Sequence, residues 1–179
     1  MEGQWDGEQR QRLVLTGKAA SDGVKMISEG QTGFRSTGTT VFLPWYLSNL
    51  ATAHIELNQF DDARQCINKA FATLESTKEG WCEAETHRIA GVIALKSDGA
   101  NASKAQEHFE RSLEVARKQW AKSWELRAAM SMARLWRDHA KRDEARELLA
   151  PVYGWFTEGF DTRDLKEAKA LLDALAAEG

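Results

Sequence analysis

The stretch LPWYLSNLATAHIELNQFDDARQCINKAF, residues 43–71, decides the fold. Its apolar residues recur at the three- and four-residue spacing of helices, and two further stretches align with it, EAETHRIAGVIALKSDGANASKAQEHFERSL (83–113) and ELRAAMSMARLWRDHAKRDEARELLAPVY (125–153). The alignment is anchored by small residues, which recur 40 or 42 residues apart in a first helix and in a second: Ala51, Gly91 and Ala133, then Ala63, Ala105 and Ala145. This spacing predicts a repeat of helix pairs.

A small residue lets two helices approach closely, while larger apolar residues three and four places away fill the space beside the contact. Each pair has one apolar stripe for its own partner and another for the next pair, so the pairs are predicted to stack into a solenoid with a concave wall. Counting back 40 residues from Ala63 reaches Gly23, which indicates a fourth, degenerate copy of the repeat. The prediction is a single all-α domain over 1–179: a degenerate first pair at 1–38, full pairs at 39–78, 79–119 and 120–160, and a capping helix at 161–179.

Composition excludes several classes of protein. The chain has 179 residues, 42% hydrophobic and 28% charged, and no apolar run approaches the roughly 20 residues that span a bilayer. The opening residues lack the basic patch and apolar run of a secretory signal, and two cysteines are too few for a disulfide framework, so a reducing cytoplasmic location is expected. A net charge of −3 argues against nucleic-acid binding. We expect neither a membrane nor a nucleic acid as partner.

The helix openings DDAR (61–64), SKAQ (103–106) and DEAR (143–146) resemble those of tetratricopeptide repeats. A repeat of about 40 residues is similar to the long version found in bacterial signal-transduction ATPases of the maltose-activator type, and the resemblance covers residues 21–160. Residues 125–175 also resemble the extreme C-terminus of bacterial regulators that join a nucleotide cyclase and an ATPase to a helical repeat array. The resemblance implies a right-handed superhelical solenoid that acts as a sensor or interaction module. No G-x-x-x-x-G-K-[ST] loop is present, so nothing catalytic carries over.

In such arrays the first helix of each pair lines the concave wall. The register predicts twelve wall residues that would contact a partner: Trp45, Ser48, Thr52, Ile55, Glu85, Arg88, Val92, Leu95, Arg127, Met130, Arg134 and Arg137. The wall would be apolar at one end and basic at the other, and arginine forks suit carboxylates and phosphates. The expected ligand is therefore a protein segment, above all an acidic peptide, or a small anionic effector. The alternative is that Glu85, Glu125 and Asp138 neutralise the arginines as ordinary surface pairs.

The segment GWFTEGFDT, residues 154–162, also has two interpretations. As a joint, the preceding helix runs through Trp155 and Phe156, Gly159 turns left-handed to close it, and Asp161 or Thr162 caps the last helix. That last helix would carry one apolar side formed by Leu165, Ala168, Leu171, Leu172 and Leu175. A ligand-binding loop is the alternative.

The densest group of chemically active side chains is WCEAETH, residues 81–87. Cys82 and Glu85 are three apart and Glu83 and His87 are four apart, which places them on two faces of a helix rather than in one site. With no H-E-x-x-H motif, no metal and no cofactor are predicted, and the chain is expected not to be an enzyme. Of the tryptophans, Trp124 and Trp136 are predicted to fill core and Trp45 to be partly exposed.

Two hypotheses about function remain from the sequence. The first is a noncatalytic helical-repeat module that binds a protein segment or effector within a bacterial signalling system. The second is a structural or oligomerisation unit with no ligand. It rests on the N-terminal end, where Leu13–Leu15 are a poor cover for Met26, Ile27 and Phe34, so that the first helix pair is predicted to form a homodimer.

Overall fold

The computed structural model describes residues 41–97 and 101–177, together with Ser21, Asp22 and Lys25, which are helical. Over these residues the chain forms helices and no strand, which confirms the all-α prediction. The helices of the two main ranges are α1 (Leu43–Glu56), α2 (Phe60–Thr77), α3 (Glu83–Lys96), α4 (Ala102–Lys118), α5 (Lys122–Asp138), α6 (Arg142–Gly154) and α7 (Arg163–Ala177). Across that described part, none is both long and apolar enough to cross a membrane. The predicted first pair at 1–38 lies outside the described residues, apart from those three, and its homodimer stays a prediction.

Local signals in the sequence account for where several helices begin. Pro44 occupies the first turn of α1, where its fixed backbone angle suits a helix and its missing N–H costs nothing. Carboxylates in the first turns of α2, α3 and α6 interact favourably with the positive ends of the helix dipoles; they include Asp61, Glu83 and Asp143.

The chain divides into two compact units, Met1–Glu79 and Gly80–Gly179. In the first unit α1 packs on α2. In the second unit each helix packs on the next, and α3, α5 and α7 also contact one another in series. The boundary between the units falls close to the predicted boundary between the pairs 39–78 and 79–119. Because α3 contacts α5, the first helices of successive pairs in the second unit are neighbours, as stacking of helix pairs requires.

The small residues that anchor the repeat are all buried: Ala51, Ala63, Gly91, Ala105, Ala133 and Ala145. The approach at Gly91 in α3 leaves no room for a side chain, because a Cβ placed there would lie 2.4 Å from Cε1 of Phe109 in α4. The Phe109 ring is itself almost completely buried. The glycine is therefore required by the space between the two helices and not by its backbone angle.

The turns between helices repeat as well. Left-handed residues follow the first helices α1 and α5 at Asn58 and Ala140, and the second helices α2 and α4 at Lys78 and Trp120. After α1, α4 and α5 the turn is closed by a bond from the N–H three residues past the end of the helix to a carbonyl five residues earlier: Gln59 to His54 at 2.9 Å, Ala121 to Ala116 at 2.9 Å and Lys141 to Trp136 at 2.8 Å. Asparagine is the only one of the four residue types that favours this conformation, so three of these turns carried no sequence signal.

The segment at 154–162 is a joint between two helices, although its details differ from the prediction. Helix α6 ends at Gly154 and does not continue through Trp155. Gly159 is left-handed, with φ of 76°, but it belongs to the turn that leads into α7, where its carbonyl accepts both the N–H and the hydroxyl of Thr162. The predicted apolar side of α7 packs against the core of the second unit: Leu165, Ala168, Leu171 and Leu175 are buried and Leu172 is partly buried.

The tryptophan predictions are confirmed. Trp124 is partly buried against Ala84, Val115 and Ala116, and Trp136 is partly buried against the larger core of the second unit. Trp45 is 39% exposed. Trp120 is 82% exposed at its left-handed turn, so it contributes little to the core.

Candidate functional site

The four predicted wall residues of α1 do not share one environment. Ser48 and Ile55 are buried, so a partner on the surface could not touch them. Trp45 and Thr52 are exposed, and the Thr52 hydroxyl donates to the Ser48 carbonyl at 3.1 Å. The predicted apolar end of the wall is therefore reduced to these two exposed side chains, and the prediction was wrong for Ser48 and Ile55.

The apolar wall residues of the second unit also belong mainly to its core. Met130 of α5 is 3% exposed and lies within the main hydrophobic cluster, so its prediction as an accessible wall residue was wrong. Val92 and Leu95 of α3 are partly buried and pack against the cluster that contains Phe109. The apolar positions of the predicted wall are used for packing between helices, because α3 contacts α5 and α5 contacts α7.

The charged wall residues do converge. Glu85 of α3 is 8% exposed and accepts two hydrogen bonds of 2.8 Å from the Arg88 guanidinium. The same carboxylate lies 3.5 Å from Nη1 of Arg127 in α5. A single buried acid thus holds two arginines from adjacent helices, and bidentate pairing of this kind is the strongest form that an arginine–carboxylate pair takes.

Helix α7 supplies further acids to the same surface. Arg127 Nε donates to Asp164 Oδ2 at 2.6 Å, and Arg134 Nη2 donates to Glu167 Oε2 at 3.1 Å. Glu167 also accepts from Arg163 at 2.7 Å. We call Arg88, Arg127, Arg134 and Arg137 the arginine row. Three of its four members are thereby paired across helices or within α3, and Arg137 pairs with the adjacent Asp138 at 2.9 Å.

The proposed neutralisation by Glu85 and Asp138 is therefore present, but Glu125 is paired elsewhere. Glu125 is buried and accepts from Arg117 at 2.9 Å and from Lys122 at 2.7 Å. Sequence reasoning missed Asp164 and Glu167, which stand 37 and 33 residues from their arginines. Only the packing of α7 on α5 brings these acids to the row.

The pairs change how readily these groups ionise. Burial would lower the pKa of Arg127, but the hydrogen bond to Asp164 and the nearby charge of Glu85 raise it on balance. The hydrogen bond from Arg163 is the main reason that the pKa of Glu167 is lowered. Both groups are therefore charged at neutral pH. About 40% of each arginine side chain at 127 and 134 remains exposed, so these two arginines are neutralised without being covered.

Glu125 gives a pH dependence that can be measured. Burial would raise its pKa, but the hydrogen bonds from Lys122 and Arg117 outweigh burial and lower it. A carboxyl whose pKa is lower in the folded state binds fewer protons there than in the unfolded chain, so its contribution is present above about pH 4.5 and is lost as pH falls through the folded value. We expect Glu125→Gln to lower the free energy of unfolding at pH 7 by ~1–3 kcal/mol and to flatten its fall in acid. Urea unfolding at a series of pH values measures both effects; an equally steep acid dependence in the variant would contradict this role.

A second polar cluster surrounds residues 81–87. Cys82 is completely buried, and burial raises its pKa to about 11, so this thiol is protonated at neutral pH. His87 of α3 lies beside His108 of α4, with 3.2 Å between their Nδ1 atoms. Burial is the main reason that the pKa of His87 falls to about 4, and it also lowers the pKa of His108. The sequence predicted that the active side chains at 81–87 lie on two faces of one helix. It did not predict that His108 of α4 would lie beside His87.

Comparison with known proteins adds no assignment: no protein-family model and no curated protein sequence matches the chain.

Proposed function

We propose that this chain is a noncatalytic helical-repeat module that binds an acidic protein segment or an anionic effector through its arginine row. The interaction or sensor role within a bacterial signalling regulator follows from the sequence resemblance to tetratricopeptide-like arrays. A right-handed solenoid is part of the same proposal. It is supported by the serial contacts of α3, α5 and α7 and by the recurring left-handed turns.

The observation that carries the proposal is the position of partly exposed guanidinium groups on neighbouring helices of one unit. Arg127 and Arg134 of α5 are 40% and 42% exposed, and Arg88 is held on α3 by Glu85. A guanidinium has five N–H donors, so one or two carboxylates do not use them all. An incoming carboxylate could therefore bind to the N–H donors that the existing pairs leave unused.

The acids of α7 set the strength of such binding. Asp164 and Glu167 already contact the two arginines that an anionic guest would use. Exposed pairs of this kind contribute ~0–1 kcal/mol each, so a guest that brings several carboxylates can displace them. The proposal therefore favours a guest with clustered negative charge over one with a single charge.

We expect Arg134→Gln combined with Arg137→Gln to weaken the binding of a fluorescent oligo-glutamate peptide at least tenfold, measured by fluorescence anisotropy at low salt. Glutamine is the better replacement because a glutamate at position 134 would face Glu167. Arg64→Gln combined with Arg146→Gln removes the same charge from two exposed i,i+3 pairs on α2 and α6 and serves as the control. An oligo-glutamine peptide controls for contacts that do not depend on charge. Equal loss in both double variants would mean that net charge, and not the row, governs binding.

The structural alternative has one observation in its favour, namely that every member of the arginine row already has a carboxylate partner. Asp164→Asn combined with Glu167→Gln separates the two hypotheses. If the row is a binding surface, removing its internal acids should tighten oligo-glutamate binding severalfold. If the row only ties α5 to α7, neither the parent nor this variant should bind the peptide, and the variant should only be less stable.

A further inference from the structure

We propose that His87 and His108 form a two-histidine site for a divalent transition metal, with Zn²⁺ as the ion of choice, that joins α3 to α4. The two side chains come from helices that pack along each other in the second unit. Their rings lie with centroids 5.5 Å apart and planes inclined by 40°.

The separation of the two nitrogens matches a shared ion. Zinc binds histidine nitrogen at about 2.0–2.1 Å, and two such bonds with their nitrogens 3.2 Å apart enclose an angle of about 100° at the metal. This value lies between the square-planar and tetrahedral angles, both of which occur among the metals that imidazole binds. The two Nδ1 atoms lie within hydrogen-bond distance of each other, so one of them carries a proton that a bound ion would have to displace. The distance between the two nitrogens therefore permits a shared ion once the proton between them is lost.

The other nitrogen of His87 faces a carboxylate. Glu83 Oε1 lies 3.9 Å from His87 Nε2 and is held at 3.3 Å by Arg111. A ligating histidine commonly has a carboxylate at its outer nitrogen, which orients the ring and increases its basicity. The distance is too long for a hydrogen bond as it stands, and a small rotation of the ring toward a bound ion would have to close it.

The expected coordination is incomplete on the protein side. Within residues 41–97 and 101–177, no group of three or more His, Cys, Asp or Glu side chains is arranged to hold a metal. We expect water to fill the remaining positions; the His87 side chain as a whole is 18% exposed. The site would therefore supply two protein ligands, fewer than the three of catalytic zinc sites or the four of structural ones.

Titration calorimetry with zinc chloride, on the full chain freed of metal, tests the site. We expect one ion per chain, and His87→Gln and His108→Gln should each weaken binding at least tenfold. His54→Gln and His139→Gln are the matched controls, because these residues have other hydrogen-bond partners, Gln59 and the Leu135 carbonyl. Saturable binding that is equally strong in His87→Gln and His108→Gln, or no saturable binding to the parent, would overturn the proposal.

Two measurements on the parent chain do not depend on the variants folding. Cobalt chloride should give a visible absorption band at one equivalent that zinc removes. Zinc should also raise the midpoint of thermal unfolding, since a ligand that bridges two helices binds only the folded state. If cobalt gives no band and zinc does not shift the midpoint, the two histidines form only a hydrogen-bonded pair.

Discussion

Replacing Gly91 with leucine is expected to unfold the second unit, and even Gly91→Ala should lower its stability. The new Cβ would stand 2.4 Å from Cε1 and 2.7 Å from Cδ1 of Phe109, far inside van der Waals contact. The Phe109 ring is 1% exposed and has nowhere to move without displacing its neighbours. Overpacking of this kind costs ~1–3 kcal/mol for small additions, which exceeds the gain of about 1 kcal/mol that alanine brings to a helix.

Gly154 provides the matched control, because it is also helical and a Cβ there would meet nothing within 4 Å. Gly154→Ala should leave the urea midpoint unchanged or raise it slightly. Combining Gly91→Ala with Phe109→Leu should cost less than the sum of the two single changes, since the smaller side chain makes room for the methyl group. Full additivity, or a Gly91→Ala midpoint equal to that of the parent, would show that these two residues are not in close contact.

Replacing Glu85 with alanine should be the next most damaging change, at ~2–4 kcal/mol. The Glu85 carboxylate is 8% exposed and joins Arg88 of α3 to Arg127 of α5. Removing one member of a buried pair leaves the other charge without compensation, which costs more than the pair itself contributes. The loss is smaller than for a fully buried pair because Arg127 keeps Asp164 and part of its exposure to water.

Asp138→Ala removes a carboxylate from the same arginine row, but from a pair between exposed residues that are adjacent in sequence. It should change the free energy of unfolding by no more than about 0.5 kcal/mol. Chemical unfolding of the two variants under identical conditions compares them. Similar small losses at positions 85 and 138 would mean that Glu85 is not the link between α3 and α5 that its burial indicates.

Over the described residues, the small-residue periodicity was sufficient to predict helices α1 to α6 and their pairing. A residue such as Ala105 or Ala145 is small wherever it occurs, and its recurrence at a fixed spacing is visible without coordinates. The apolar side of α7 was predicted for the same reason, since residues three and four apart share a helix face. The left-handed turns at Lys78, Trp120 and Ala140 were not predicted, because their conformation is imposed by the helices that they connect.

In the candidate site, the partners of the charged side chains depended more on the tertiary structure than on the sequence. The sequence indicated that arginines share one face of α5, but it could not show that α7 would bring Asp164 and Glu167 to them. It separated His87 from its neighbours along α3, whereas packing of α4 places His108 against it. Positions that share a helix face follow from spacing alone, so the sequence by itself determined the described helices and the apolar side of α7, but not the burial of Ser48, Ile55 and Met130. Contacts between helices depend on which faces meet and at what distance, and the tertiary structure alone decided the partners of the charged and titratable groups.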